Sequence, residues 1–177
     1  MAIKIISGAQ TGVDSGALLA AMELDLPWGG TAPRNWLRED GSVPPEWRKE
    51  QRKDGNGLIM MAKAGKSVAE IYRARTLQNI KDAGMTVVVV PSRFFLNRSR
   101  GTKLTVDLAG DGHPCLIVEA GGTFPPKGSF EWSQLLDTVG EDGVVNFAGP
   151  RGSHWEAGEA ITKELVMKAY LASDREV

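Results

Sequence analysis

The sequence has little cysteine, no excess of charge of either sign and no long apolar run. Its single cysteine, Cys115, excludes an internal disulfide and, within an apolar run, predicts a buried structural thiol. The formal net charge of −1 lacks the basic excess that binds nucleic acid or a membrane surface. No apolar stretch approaches membrane length, and no basic segment precedes an apolar one at the start. We therefore expect a cytoplasmic protein that binds neither nucleic acid nor membranes.

Patterns for a metal centre or a hydrolytic triad are also missing. The two histidines, His113 and His154, do not combine with Cys115 at metal-ligand spacing, so we expect no metal held by protein side chains. Two histidines beside loop glycines also give no geometry for a Ser-His-Asp triad.

The composition indicates a globular protein. The 177 residues, 42% of them hydrophobic, suffice for a sizeable core without disulfides or metals. We expect one domain spanning residues 1–177, with a long loop at about 31–57. This loop holds Pro44-Pro45, many charges and little apolar periodicity, and loops of such length are usually functional or disordered. It is a candidate lid over the first turn of the chain.

The first residues contain a strand, a glycine turn and a helix start. A β-branched apolar run precedes Gly8 and Gly12, and a helical pattern follows them. The N–H groups of a first helical turn favour an anion, usually a phosphate. Alternatively, the glycines only permit a sharp turn, with Thr11 as the N-cap and Asp14 completing a capping box.

The rest of the chain alternates apolar runs with helical patterns. Strands are predicted at 85–90, 115–118 and 144–148, helices at 67–80, about 101–109 and 155–172, and a short strand ending in a glycine turn near Gly29-Gly30. This alternation predicts a parallel α/β sheet with helices on both faces. The turns after Ser7, Val90 and Ala148 then share one sheet edge, where ligands bind in such folds.

Short motifs over most of the chain resemble those of a known family. They are, in order, Gly8-Ala9-Gln10-Thr11-Gly12-Val13-Asp14, Gly29-Gly30, Arg38-Glu39-Asp40-Gly41, Tyr72-x-x-Arg75-Thr76-x-x-Asn79, Gly101-Thr102-x-Leu104-Thr105 and Asn146-x-Ala148-Gly149-Pro150-Arg151. This set resembles the family named "putative molybdenum carrier proteins", in the Rossmann-like superfamily of the "lonely guy" phosphoribohydrolases and DNA-processing protein A. The resemblance implies a Rossmann-like three-layer α/β sandwich with a mainly parallel central sheet. In the namesake carriers the ligand is molybdenum cofactor, a pterin with a phosphate and an oxyanion-like metal centre.

The sequence departs from the family pattern at several positions. Ala9 stands where a second glycine is usual, and its methyl group restricts φ. Arg100 precedes Gly101-Thr102 where a further glycine is usual, and it adds a positive charge. Thr105 stands where the phosphoribohydrolase signature has glutamate, which argues against N-glycoside cleavage.

The residues expected to bind the ligand are backbone, hydroxyl and guanidinium donors near the predicted sheet edge. For the anion they are Gly8, Gln10, Thr11, Gly12, Gly101, Thr102 and Arg151. Arg75 and Asn79 share a helical face and are candidates to contact the base or pterin, although such a face is as often solvated.

Catalytic residues are unknown at this level, with candidates among four carboxylates. They are Asp14, Glu39, Asp40 and Asp107. We expect a carrier or sensor of a phosphorylated small molecule, either molybdenum cofactor or a nucleotide, without chemistry. The alternative is a nucleotide or nucleoside-phosphate hydrolase that uses the same site and the Glu39-Asp40 loop.

A third alternative is a structural or interaction domain, and homo-oligomerisation stays open. It is compatible with the five tryptophans, which serve equally in a core, an interface or ring stacking. They are Trp28, Trp36, Trp47, Trp132 and Trp155.

Overall fold

The computed structural model describes residues 2–51, 55–61, 67–120 and 130–173, which are arranged around a parallel β-sheet. The strands are β1 (Lys4–Ser7), β2 (Trp28–Ala32), β3 (Leu37–Arg38), β4 (Gly41–Ser42), β5 (Gly57–Met60), β6 (Met85–Val90), β7 (Cys115–Glu119) and β8 (Val144–Ala148). Six of them form a sheet of order β5-β2-β1-β8-β6-β7 with every pairing parallel. β3 and β4 form a separate antiparallel hairpin.

Helices cover both faces of the sheet. They are α1 (Val13–Glu23), α2 (Val68–Asp82), α3 (Arg100–Ala109), α4 (Trp132–Val139) and α5 (Gly158–Ser173). α5 packs against α1 and α4, whereas α2 packs against α3. Val87 and Val89 of β6 join one core cluster with Leu18 and Leu165, while Val88 is equally buried on the opposite face. The predicted α/β sandwich is confirmed.

Local sequence explains why these elements form. β6 is buried along its whole length, as a continuous β-branched run in a parallel sheet requires. α2 begins with a capping box, in which Ser67 Oγ accepts from the Glu70 N–H and the Glu70 carboxylate accepts from the Ser67 N–H. In α1, Gly16 permits close approach to α5, because a Cβ there would lie 2.3 Å from the Glu159 carbonyl oxygen.

The strand order places the ends of β1, β8 and β6 side by side. Ser7 pairs with Phe147, and Ala148 pairs with Val88, so the segments that follow these strands leave the sheet at the same edge. The predicted convergence of three strand ends is confirmed.

The predicted loop at about 31–57 is more ordered than expected where the structure describes it. It holds the β3–β4 hairpin, three short 3-10 helices and the first residue of β5. Trp36, Val43 and Trp47 of this segment are buried and belong to the same core cluster as the residues of the sheet. Residues 52–54 of the predicted loop lie outside the described residues.

Other elements differ from the prediction. Gly29 and Gly30 lie inside β2 and not in a turn after it. Gly30 allows β2 to lie close to β1, because a Cβ there would be 2.2 Å from the Ser7 carbonyl oxygen. β5 and α4 were not predicted, and α5 begins at Gly158, later than expected. In the described ranges, no helix combines the length and apolar character needed to cross a bilayer.

Candidate functional site

A cleft of ≈ 580 Å³ is lined by residues that follow β1 and β6, by the end of β8 and the loop after it, by α2 and by the first half of α3. Five of the nine residues predicted to bind a ligand line this cleft. They are Gln10, Arg75, Gly101, Thr102 and Arg151. Residues that are distant in sequence therefore meet at the predicted edge of the sheet.

The cleft is rich in positive charge. Arg75, Arg98, Arg100 and Arg151 line it, and among the described residues the carboxylate that lines it is Asp14. Arg98 was missed as a ligand-binding candidate, although it lies in the polar, arginine-rich turn after β6. A cationic run directly after a buried strand was the signal that could have found it. Four arginines and one carboxylate in the same lining favour an anionic ligand.

The first turn of α3 is open to the cleft. Its N-cap residue, Ser99, makes no side-chain hydrogen bond to the helix backbone, since its hydroxyl pairs with Thr102 Oγ1 at 2.7 Å. A Cβ built on Gly101 would meet no atom within 4 Å. Because the first N–H groups of a helix have no intrahelical partner, they attract anions. This helix start offers such donors without a side-chain cap.

A buried ion pair forms the floor of the cleft near β1. Arg75 Nη1 lies 3.2 Å from Asp14 Oδ2, and both side chains are largely buried. The Gln10 N–H also donates to Asp14 Oδ2, at 3.3 Å. Burial raises the pKa of Asp14 above its usual value, against the opposing charge of Arg75. Arg75 lies directly over Gly8, where a Cβ would come within 1.4 Å of Nη1.

Hydrogen-bond donors of the first glycine turn are bonded to other parts of the protein. Gly12, with φ of 80°, is the N-cap of α1 and provides no side-chain cap, so the predicted cap by Thr11 with Asp14 in a capping box is wrong. The Val13 N–H donates to the Pro150 carbonyl oxygen at 3.3 Å, so the loop after β8 covers this helix start. Ala9 adopts φ of 59°, a left-handed conformation that costs a non-glycine residue about 1–2 kcal/mol.

The carboxylate of Glu39, at the tip of the β3–β4 hairpin, lies against this turn. Thr11 Oγ1 donates to Glu39 Oε1, as does the Ser153 N–H at 3.0 Å. Ser153 Oγ donates to Glu39 Oε2 at 2.6 Å, and Arg151 Nε lies 3.7 Å from the same oxygen. Gln10 Oε1 accepts from the Glu39 N–H at 3.0 Å. The predicted lid segment therefore does cover the first turn.

These contacts affect the proposed catalytic carboxylates. Partial burial alone would raise the pKa of Glu39, but hydrogen bonds from Ser153 and Thr11 hold it below its usual value. Two hydrogen bonds from Arg38, at 2.8 and 3.0 Å, hold the pKa of Asp40 low as well. Neither carboxylate lines the cleft, and Asp107 pairs with Lys103 on the exposed side of α3. Asp14 is the predicted catalytic candidate that does line it.

Comparisons with known proteins agree on a family. The family model described as "Circularly permutated YpsA SLOG family" matches residues 5–170. The chain belongs to this family. A crystal structure of a protein from Syntrophus aciditrophicus SB named "Putative molybdenum carrier protein" is 27% identical, covers 95% of this chain and 94% of its own, and has a TM-score of 0.71. No curated protein matches the chain. The resemblance to the molybdenum carrier proteins is thereby confirmed.

In this member of the SLOG family, four predicted ligand-binding residues do not line the cleft. They are Gly8, Thr11, Gly12 and Asn79. Asn79 is buried and uses its amide on β2, where Oδ1 accepts from the Thr31 N–H at 2.7 Å and Nδ2 donates to the Thr31 carbonyl oxygen at 3.0 Å. This side chain joins α2 to the sheet, and its predicted contact with a ligand has no support in this geometry.

The aromatic residue of the cleft differs from those that the sequence suggested. Four tryptophans, Trp28, Trp36, Trp47 and Trp132, are buried in the core. Tyr72 lines the cleft, with the guanidinium carbons of Arg75 and Arg151 at 5.8 and 6.0 Å from its ring centre. It was overlooked as a site residue, although it stands three positions before Arg75 on the same face of α2.

The structure places the thiol and the two histidines as follows. Cys115 is half-buried and not fully buried as predicted, and desolvation raises the pKa of its thiol. Among the residues that the structure describes, no group of three or more His, Cys, Asp or Glu side chains is placed to hold a metal ion. His113 bonds Thr86 Oγ1 at 2.9 Å, away from His154 in the cleft lining.

Proposed function

We propose that the protein binds a phosphorylated small molecule in this cleft and serves as a carrier or sensor of it. The observation that supports this most directly is the combination of four arginines with an uncapped helix start in one cleft. One guanidinium group can bind two phosphate oxygens at once, and helix N-termini bind phosphate through backbone N–H groups. The volume of ≈ 580 Å³ is typical of small-molecule sites.

The ligand that best suits this lining carries a planar ring as well as phosphate. Tyr72, Ala69 and Leu104 contribute aromatic and apolar surface beside the arginines. A pterin or a nucleobase packs on such a surface while its phosphate reaches the start of α3. We therefore propose molybdenum cofactor or a nucleotide as the ligand.

Molybdenum would enter this site as part of its cofactor. The solved relative from Syntrophus aciditrophicus is named as a molybdenum carrier, and the same cargo is proposed for this chain. Guanidinium and backbone N–H groups are donors to oxyanions and not ligands to a metal. Arg98, Arg100 and Arg151 would hold the phosphate and oxo groups of such a cofactor, leaving the metal to its own pterin ligands.

Binding assays with matched variants test this proposal. Native mass spectrometry and calorimetry would be run with ADP, inorganic pyrophosphate, molybdate and a pterin phosphate. Arg100→Ala should weaken the binding of phosphorylated probes by roughly tenfold or more, since it removes a charged hydrogen-bond donor. Arg73→Ala, on the exposed side of α2, is the control and should bind like the native protein. Saturable binding of no probe, or equal losses in both variants, would contradict the proposal.

A second candidate function, hydrolysis of a nucleotide or nucleoside phosphate, rests on Asp14. Its carboxyl group lines the cleft and has a raised pKa, two properties of a general acid or base. Turnover of nucleotides that Asp14→Asn abolishes, in a variant that still binds ADP, would favour the enzyme over the carrier. Binding without any product would favour the carrier.

A further inference from the structure

The carboxylate of Glu39 lies where the sequence predicts the phosphate of a ligand. Its oxygens accept hydrogen bonds from Thr11 Oγ1, the Ser153 N–H and Ser153 Oγ, and Arg151 lies beside them. Hydroxyl, backbone N–H and guanidinium groups are the donors that proteins offer to a phosphate oxygen. An internal anion thus occupies a donor set that the first glycine turn and the loop after β8 form together.

Arg151 connects this internal contact with the cleft. Its side chain lines the cleft, lies above Tyr72 and is 37% exposed, while its Nε is 3.7 Å from Glu39. At this distance the ion pair is not a close hydrogen bond. The guanidinium group is therefore shared between the hairpin and any anion that enters the cleft.

We propose that Glu39 competes with the ligand for Thr11, Ser153 and Arg151. The ligand forms hydrogen bonds with these three residues only when the hairpin tip moves aside. This regulation rests on the proposed function, because it concerns the anion that the same cleft binds. The affinity measured for a ligand is then lowered by the fraction of molecules in which Glu39 holds these donors.

The tip of the hairpin can move while the central sheet stays in place. β3 and β4 pair through only two residue pairs, Leu37 with Ser42 and Arg38 with Gly41, and belong to no larger sheet in the described structure. The base is anchored by buried Trp36, whose φ of 58° is strained for a non-glycine residue. A movement of Glu39 leaves this anchor and the Arg38–Asp40 pair in place and breaks, besides the carboxylate contacts, the hydrogen bond from the Glu39 N–H to Gln10 Oε1.

Three variants separate competition from simple charge repulsion. Glu39→Gln removes the charge, whereas Glu39→Asp keeps it but shortens the side chain by one methylene, so that it no longer reaches Thr11 and Ser153. Both variants should bind ADP and pyrophosphate roughly tenfold more tightly, because the donors that Glu39 occupies become available for a charged hydrogen bond to the ligand. Glu50→Gln, which removes an equal charge from an exposed position in the same segment, should bind like the native protein.

The outcomes of this calorimetry differ clearly. Tighter binding by Glu39→Asp supports competition. Unchanged binding by Glu39→Asp, with equal gains in Glu39→Gln and Glu50→Gln, would mean that charge alone acts and would overturn the proposal. Weaker binding by Glu39→Gln would also overturn it, since Glu39 would then support the site.

Hydrogen exchange tests the contact without any ligand. The Ser153 N–H, which donates to Glu39, should exchange faster in Glu39→Gln and Glu39→Asp than in the native protein or Glu50→Gln. Equal exchange in all four proteins would overturn the proposed contact even if ADP binds. If exchange increases as expected but no protein binds a probe, the proposed function fails, and the competition fails with it.

Discussion

The two helix starts at the edge of the sheet differ in what already contacts them. At the start of α1, Gly12 lies against Pro150 and Gly152, and the carboxylate of Glu39 accepts a hydrogen bond from the hydroxyl of Thr11. At the start of α3, no side chain caps the helix and the space beside Gly101 is empty. Only the second start is free to receive a ligand without rearrangement.

This difference shows that a strand, a glycine turn and a helix do not by themselves define an anion site. Both segments have this pattern in the sequence. The residues that fill the first start come from elsewhere in the chain, since Glu39 is 28 positions from Thr11 and Gly152 is 141 positions from it. Long-range packing decides which helix start is available.

The largest effect is expected from breaking the buried ion pair beside the first start. Asp14→Ala should lower the free energy of unfolding by about 3–5 kcal/mol, because Arg75 is left without its charge partner. Urea unfolding followed by tryptophan fluorescence measures this change. Asp107→Ala, which removes an exposed pair with Lys103, is the control and should change stability by no more than about 0.5 kcal/mol. Equal losses would mean that the first start does not depend on its buried charges.

Adding a methyl group at the two helix starts should change the free energy of unfolding in opposite directions. At the start of α1 the change is destabilising. Gly12→Ala places a side chain at φ of 80°, with its Cβ 2.4 Å from the Pro150 carbonyl oxygen. Strain and overpacking should together lower the free energy of unfolding by about 2–4 kcal/mol. A stability within experimental error of the native protein would show that the loop after β8 yields easily.

At the second start, the same change should be tolerated. Gly101→Ala should raise the free energy of unfolding by about 0.5–1 kcal/mol, because alanine favours the helix and its Cβ meets no neighbour. The same methyl group should weaken pyrophosphate binding by narrowing the approach to the backbone. Destabilisation similar to that of Gly12→Ala would remove the contrast between the two starts.

The smallest expected effect is a shift in the pKa of Glu39, at the first helix start. Its pKa in the folded protein should lie below the ordinary value of 4.5, so its contribution to stability is complete above that pH and is lost as the pH falls through the lowered pKa. Carboxyl-carbon NMR measures this value directly. In Ser153→Ala, which removes one donor, the pKa should move back towards 4.5. A native value at or above 4.5 would show that the donors do not hold the carboxylate.

The fold follows from local patterns wherever burial is uniform. The run Met85–Val90 predicts a buried parallel strand from its β-branched residues alone, and the start of α2 is predicted from its helical pattern. β5 was missed because its four residues include Gly57 and the half-exposed Ile59, and such a short run has no distinctive periodicity.

The site was predictable only as far as strand ends could be placed. Arg151 and Gly101 were predicted because each comes after a strand that ends at the edge where ligands bind in such folds. Asn79 was proposed from its spacing to Arg75, but a helical face does not reveal that the amide is bonded to the backbone of Thr31. The position of Glu39 depends on a hairpin contact across the cleft rim, which no local pattern encodes.

The place of β8 in the sheet has a consequence for how the protein is made. Among the described residues β8 is the last strand in sequence, yet it lies between β1 and β6, and Arg151 follows it after Gly149 and Pro150. During synthesis β1 and β6 emerge first without the strand that joins them, so the middle of the sheet closes only after residues 144–148 have left the ribosome. The cleft, whose lining includes Ala148 and Arg151, is therefore complete only after β8 has been synthesised and has paired with β1 and β6.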